Sequence, residues 1–475
     1  MYDTFIGLEI HIQLLTKTKV FCGCSNNYGD EPNTNVCPVC LGYPGTLPIL
    51  NTDALFMAYQ VVGALKCKRA EAAIFERKNY FYPDMPKNYQ ISQFADPVGI
   101  NGEVIFPFQG EEHRVRIHDV HLEEDAGKMI HAGDMSLLDY NRAGTPLLEI
   151  VTEPDLRSGE ETEAFLRYFR TLVRTIGVSR GNMEEGNLRC DANISINTHG
   201  AGLGTKVELK NINSSRFVRL ALEYEKERQI GIVEAGGSVD QETRLWNENK
   251  DITVVMRRKE ESKDYRYFPE PDLPPYRPGE DFFRRVVESL PELPLDRQKR
   301  MEAAFSLTDE QASYLCEEKA RADYFETAVA AGTEAQHLYF WMSGDLAALV
   351  NKSGTPLEES RLSPEKLATV LRLLDNGEIH GPIAKKMVAL LFEEEHDPEG
   401  LIAERGWKAL DDTSKILPVV KRAVDANPSA AEQLKQGETK VLGFFMGQVM
   451  KETGGRADPE TAKALITSYV KGEIV

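Results

Sequence analysis

At 475 residues the chain is too long for one ordinary hydrophobic core, and length alone implies two or three domains. With 41% hydrophobic residues, no apolar run long enough to span a bilayer and no basic-then-apolar leader in "MYDTFIGLEIHIQ", a membrane span and a secretory signal are both disfavoured. The net charge of −19 speaks against a general nucleic-acid coat protein, but residues 381–475 hold 13 Lys/Arg against 15 Asp/Glu, so a local basic face near the C-terminus stays open.

The first predicted element is a strand over "FIGLEIHIQL". Period two puts Glu9 and His11 on one face, with Leu8, Ile10 and Ile12 on the other. Next comes "CGCSNNYGDEPNTNVCPVC", residues 22–40, with Cys22, Cys24, Cys37 and Cys40 in two close pairs. Two such pairs on turns are what tetrahedral thiolate coordination needs, so the spacing points to structural zinc, with free structural thiols as the other reading. The remaining cysteines, Cys67, Cys190 and Cys316, are scattered, which suits a reducing, cytoplasmic setting. A four-sulfur site is closed to substrate, so its expected work is to clamp a loop near Glu9 and His11.

Further along, "HLEEDAGK" (121–128) is a short acidic run. "NLRCDANISINTHGAGLGTKVELKNIN" reads as two strands around a Gly-rich turn. Arg189, Asp191 and Asn193 share a face of the first, and Lys206, Glu208 and Lys210 share a face of the second. A solvated face of salt bridges is one reading of this hairpin. Glu9, His11 and the acidic run favour another: oxygen ligands with one imidazole suit Mg²⁺, the usual companion of a nucleoside triphosphate. There is no G-x-x-x-x-G-K-[ST] sequence, which excludes a P-loop.

Residues 1 to about 285 therefore read as a mixed domain with much β-structure. Five prolines in "YFPEPDLPPYRPGED" (267–281) exclude a helix interior or a central strand and suggest a connector. Beyond it the pattern is helical, with Ser363-Pro364 opening one helix and Asn376-Gly377 closing it. In "KVLGFFMGQVMK", Val441, Phe445 and Val449 fall on one helix face. Gly443 and Gly447, four apart, leave room for another backbone.

Several stretches together resemble one family: "GLEIHIQL", "FERKNYFYPDMPKNYQISQ", "HLEEDAGK", "DYNRAGTPLLEIVTEPD", "GNMEEGNLRCDANIS", "GTKVELKNIN", "RRKEESKDYRYFPEPDLPP", and "KVLGFFMGQVMK" with "GRADPE" near the end. They are similar to the B subunit of the tRNA-dependent amidotransferase, from near residue 1 to the end. The resemblance implies an α+β chain with a mixed α/β cradle domain with antiparallel strands over 1–285, an all-α domain over 290–405 and a small helical tail over 406–475. It implies a ligase, with ATP and Mg²⁺ in the cradle. The side-chain carboxylate of Glu-tRNA(Gln) or Asp-tRNA(Asn) would be phosphorylated there, and ammonia would displace the phosphate. Glu9, His11, Glu124, Asp191 and Glu208 are then the expected metal and active-site groups. Lys78 and Lys87 would lie by the ammonia path. Arg189, Lys206 and Lys210 are expected at the phosphates, on geometric grounds more than family ones. No glutaminase signature occurs in the chain, so ammonia would come from an amidase A subunit, with a small C subunit clasping the two. The tail would hold the misacylated tRNA, with Lys385, Lys386, Lys440 and Lys451 as contacts suggested by position and charge. Some relatives lack the four cysteines, which agrees with a structural role for zinc. A non-catalytic tRNA-binding scaffold and a stand-alone metallohydrolase are the competing readings.

Overall fold

The computed structural model describes residues 1–258 and 265–474. Residues 259–264, "KEESKD" within one of the stretches quoted above, lie outside the described residues. The chain divides into two compact units, Met1–Arg297 and Gln298–Val475.

In chain order the first unit contains β1 (Tyr2–Gln13), α1 (Thr52–Ala64), β2 (Lys68–Arg69), β3 (Glu76–Asn79), β4 (Tyr89–Ser92), β5 (Gly99–Phe108), β6 (Glu111–Glu124), β7 (Lys128–Ala132) and β8 (Met135–Asp139). After these come β9 (Pro146–Thr152), α2 (Gly159–Thr175), β10 (Leu188–Thr198), β11 (Val207–Lys210), α3 (Ser215–Glu234), β12 (Glu242–Asn247), β13 (Ile252–Arg258), β14 (Phe268–Pro269) and α4 (Glu280–Ser289). Nine strands form one sheet in the order β13-β12-β11-β10-β1-β9-β6-β5-β2. Every pairing in it is antiparallel except β11 with β12.

The alternation expected of β1 is present. Leu8, Ile10 and Ile12 are buried in one apolar cluster with Ile150, Leu122, Cys190 and Ala192 from neighbouring strands. Tyr59 of α1, Phe165 and Phe169 of α2, and Val218 and Ala221 of α3 join the same cluster. The three helices thus cover the apolar side of the sheet, and the polar side chains of β1 emerge on the other. Each helix starts at a capped position: Asn51, Ser158 and Ser214 accept hydrogen bonds from backbone N–H groups of the first turn.

The β10–β11 hairpin forms in the register Ala192↔Leu209, Asn193↔Glu208 and Ile194↔Val207. Its return depends on Gly204, because a Cβ there would lie 2.0 Å from the Ile196 carbonyl oxygen. The proline-rich stretch is more than a connector. Phe268 and Pro269 pair with Arg77 and Glu76 as the edge strand of a three-stranded sheet, β14-β3-β4. An edge is the place in a sheet where a residue without an N–H fits.

The described part of the second unit is helical, from the helix that crosses the boundary, Pro294–Phe305, to Pro459–Lys471. Its buried apolar residues form two clusters, one from Met301 to Leu401 and one from Ile416 to Ile466. The helix Pro364–Asp375 is capped by Ser363 and followed by Asn376 and Gly377, the latter at φ 71°. In Lys440–Glu452, Phe445 and Val449 are fully buried. The close approach expected at Gly443 and Gly447 is absent: among the described residues a Cβ at either would meet nothing within 4 Å. No described helix is long and apolar enough to cross a membrane.

Candidate functional site

The polar side of the nine-stranded sheet is built by register. In one row His121 of β6 faces Glu149 of β9, which faces His11 of β1, which faces Arg189 of β10. In the next row Glu9 faces Asp191, and one step further Asn193 faces Glu208. Chain segments more than 100 residues apart thus place their ionisable groups on one surface.

Two groups of metal-competent side chains lie on it, each with ligand atoms within 4.8 Å of one another: Glu9, Asp191 and Glu208, and His11, Glu123 and Glu149. In the first, Asn193 Nδ2 donates to Glu9 at 3.0 Å and Thr243 Oγ1 donates to Glu208 at 2.7 Å. The Lys210 ammonium bridges Asp191 and Glu208. Burial pushes Lys210 down, but these two carboxylates outweigh it and leave the ammonium harder to deprotonate than usual. In the second, His11 Nε2 lies 3.2 Å from Glu149 and 3.9 Å from Glu123. His121 approaches Glu149 at 3.0 Å and Asp119 at 2.9 Å. Burial alone would lower His121; Glu149, Asp119 and Glu123 overcome it and raise the imidazole to about 10. Burial likewise opposes the charge on Glu149, and His121 and His11 reverse it, holding that carboxyl well below its usual range.

The five expected metal and active-site groups are therefore divided. Glu9, Asp191 and Glu208 converge, while His11 belongs with Glu123 and Glu149. Glu124 belongs to neither group. Successive residues of a strand point to opposite faces, so Glu123 turns to the polar side and Glu124 to the other. There Glu124 pairs with Lys87 and accepts from Ile91 N–H at 2.8 Å. The third acid of the run, Asp125, pairs with Arg189 at 2.9 Å and accepts from Gln13 at 3.1 Å. All three carboxylates are 3% exposed, and each has its own partners, as buried charge requires.

Among the expected cations, Arg189 and Lys210 reach the polar face. Lys206 is exposed ahead of β11 and makes no ion pair among the described residues. Lys78 on β3 is held near Glu123 and Glu149. Burial lowers it, these carboxylates raise it further, and it stays a firm cation with its Nζ 5.1 Å from the Tyr265 ring centre. Among the described residues, three buried atoms around these groups have no hydrogen-bond partner: Arg189 Nε, Asn187 Oδ1 and Asn193 Oδ1. Atoms of this kind mark where a polar ligand belongs. Asp191 and Arg189 also border a cavity of about 640 Å³, whose other walls include Asn26–Asp30 and Asn211–Asn213.

Glu123, Glu149, His121 and Asp119 are the residues that sequence reasoning passed over. Asp119, His121 and Glu123 alternate in "DVHLEED", a signal that period two could have separated from Glu124. Glu149 stands alone among apolar residues, and only pairing register reveals it.

The four Sγ atoms of Cys22, Cys24, Cys37 and Cys40 lie within 4.8 Å of one another, with Cys37 and Cys40 at 3.9 Å. Zinc–sulfur bonds of about 2.3 Å in a tetrahedron put sulfurs roughly 3.8 Å apart, so the four residues fit that ion. Cys37 N–H donates to Cys40 Sγ at 3.2 Å, and the turn continues through Gly42 at φ 69°. All seven cysteines are free. Next to this group a cavity of about 210 Å³ is lined by Cys22, Cys40, Lys19, Lys87 and Glu124.

A family model described as the GatB/GatE catalytic domain matches residues 4–284, and a second, the GatB domain, matches residues 323–470. The chain belongs to the GatB/GatE family. Similar proteins, named as B subunits of the aspartyl/glutamyl-tRNA(Asn/Gln) amidotransferase, occur in Crocosphaera subtropica, Carboxydothermus hydrogenoformans and Persephonella marina. Each is 45% identical to this chain. The matches cover 99%, 98% and 99% of this chain and 98%, 98% and 100% of the relatives. The first family match ends within the first unit and contains the polar sheet face, the four-cysteine loop and both cavities. The site described above is thus a feature of the catalytic domain that gives the family model its description.

Proposed function

We propose that this chain is the B subunit of a tRNA-dependent amidotransferase, a ligase acting on Glu-tRNA(Gln), Asp-tRNA(Asn) or both. It would use ATP to phosphorylate the side-chain carboxylate of the misacylated residue, and ammonia would then displace phosphate. The observation that carries this reading is the pair of acidic groups on one sheet face, with Lys78, Arg189 and Lys210 around them.

Both groups fit Mg²⁺ by their hard oxygen donors, the second with one imidazole added. Held there, Mg²⁺ would offset charge on phosphate oxygens. The chain's own residues supply the rest. Lys210 and Arg189 can turn hydrogen bonds toward a triphosphate, and the orphan Arg189 Nε awaits such an acceptor. Lys78, by Glu123 and Glu149, would stand where the ammonia path enters the site. Phosphoryl transfer asks little more of a protein than this placement of cations and carboxylates. On the other side of the sheet, the cavity containing Lys87 and Glu124 would lie on the route of ammonia, which would be supplied by an amidase A subunit alongside a small C subunit. The tail would grip the tRNA, and the four cysteines would hold structural zinc.

The deciding experiment uses the complex assembled with its partner subunits and misacylated tRNA. Asp191→Asn should lower transfer of the ATP γ-phosphate by about 10²–10³-fold, with tRNA affinity unchanged. Undiminished transfer would instead leave the chain a tRNA-binding scaffold.

A further inference from the structure

Lys19 is wholly buried, in the segment between β1 and the first cysteine pair. Its ammonium donates to the Tyr140 carbonyl at 3.1 Å and lies 3.7 Å from Cys40 Sγ. Among the described residues no carboxylate lies within ion-pair reach of it. Both carboxylates lining the same cavity are already engaged, Glu124 by Lys87 and the Ile91 N–H and Asp272 by Arg77. Taking an ammonium out of water without a counter-charge is expensive, and proteins keep such groups only where an anion compensates them. The backbone of Lys19 adds a second tie, because its N–H donates to the Cys24 carbonyl at 3.0 Å. One residue therefore touches both cysteine pairs, the first through its main chain and the second through its side chain.

We propose that Lys19 is the counter-cation of a metal–tetrathiolate centre formed by Cys22, Cys24, Cys37 and Cys40. This rests on reading the four cysteines as a zinc site. Four thiolates around a divalent ion carry a net charge of −2, and Cys40, the sulfur beside Lys19, is the buried one of the four, so the excess meets the ammonium away from water. Each charge supplies what the other lacks. Lys19 is a positioning residue in this scheme: it binds no metal itself, and it sets how tightly the sulfurs do.

The test uses the full chain with Lys19→Met, which keeps the aliphatic stem and removes the charge, and Lys19→Gln, which keeps a donor for the Tyr140 carbonyl. Zinc content, zinc affinity by competition with a chromophoric chelator, and melting of zinc-loaded and stripped protein are measured for each. Both variants should bind zinc about ten- to a hundredfold more weakly. The loaded form should melt lower than wild type, while the stripped form should melt no lower, because the uncompensated ammonium is gone. That opposite response separates charge compensation from simple packing. Unchanged affinity, or equal losses in both forms, would overturn the proposal. So would failure of both variants to fold with zinc in excess, which would assign Lys19 to packing. A wild-type chain that binds no zinc would remove the metal reading and this proposal with it; zinc-binding wild type with indifferent variants would remove this proposal alone.

Discussion

The Glu124 carboxylate and the Lys87 ammonium are both nearly inaccessible to water, and each is the other's ion-pair partner. Glu124→Gln should cost about 3–5 kcal/mol in denaturant unfolding of the first unit, because it strands Lys87. Adding Lys87→Met should recover much of that loss; a double variant as unstable as the single one would mean that the pair is not what sets stability there. In the assembled complex Glu124→Gln should spare γ-phosphate transfer far more than Asp191→Asn, since Glu124 faces away from both acidic groups. Gly42 is equally constrained. Its φ is +69°, and a Cβ would come within 2.9 Å of the Lys87 backbone. Gly42→Ala should therefore distort the second cysteine turn and weaken zinc binding about tenfold in chelator competition, whereas Gly45→Ala, which shares the positive φ at +84° but meets nothing within 4 Å, carries the backbone strain without the clash and should affect affinity less.

At the scale of elements, the sheet's pleat sorts chemistry from packing. His121 illustrates the energetic consequence. Its folded value, about 10, lies above its ordinary one, so the contribution of its ion pairs to stability is complete below about pH 6.5 and fades as the pH rises toward 10. In metal-free protein the melting temperature should fall over that window, and His121→Gln should flatten the fall. Much of this layout could be read from the sequence. Alternation in "GLEIHIQL" and in the β10–β11 hairpin placed Glu9, His11, Asp191 and Glu208 on faces correctly, because period two is local information. Division into two acidic groups could not be read, because it depends on which strand lies beside β1. That neighbour is β9, from more than 130 positions away, and Glu149 enters the site only through it. Glu124, expected at the metal from the resemblance, lies on the face opposite Glu123, because adjacent residues of a strand point in opposite directions. The role of Pro269 was also hidden, since proline forbids a central strand yet allows an edge.

Over the whole molecule, the second unit holds its own two apolar clusters, and the last of them lies within residues 416–466. Two of the four lysines suggested as tRNA contacts are engaged: Lys385 with Asp345, and Lys386 with the Gly454 carbonyl. Lys440 and Lys451 are exposed. Deleting 406–475 should weaken tRNA binding by an order of magnitude or more in a filter or anisotropy assay and leave assembly with the partner subunits largely intact. Full tRNA affinity after truncation would remove the tail from that role. The position of β1 at the middle of the sheet has a consequence in time. It is synthesised before its neighbours, β9 and β10, yet must wait for both. At about 5–20 residues per second that delay is on the order of ten seconds, during which both edges of β1 lack their partner strands. The strand that carries Glu9 and His11 thus precedes both of its neighbours, and the nascent chain's need for a chaperone should ease once Thr198 has left the ribosome.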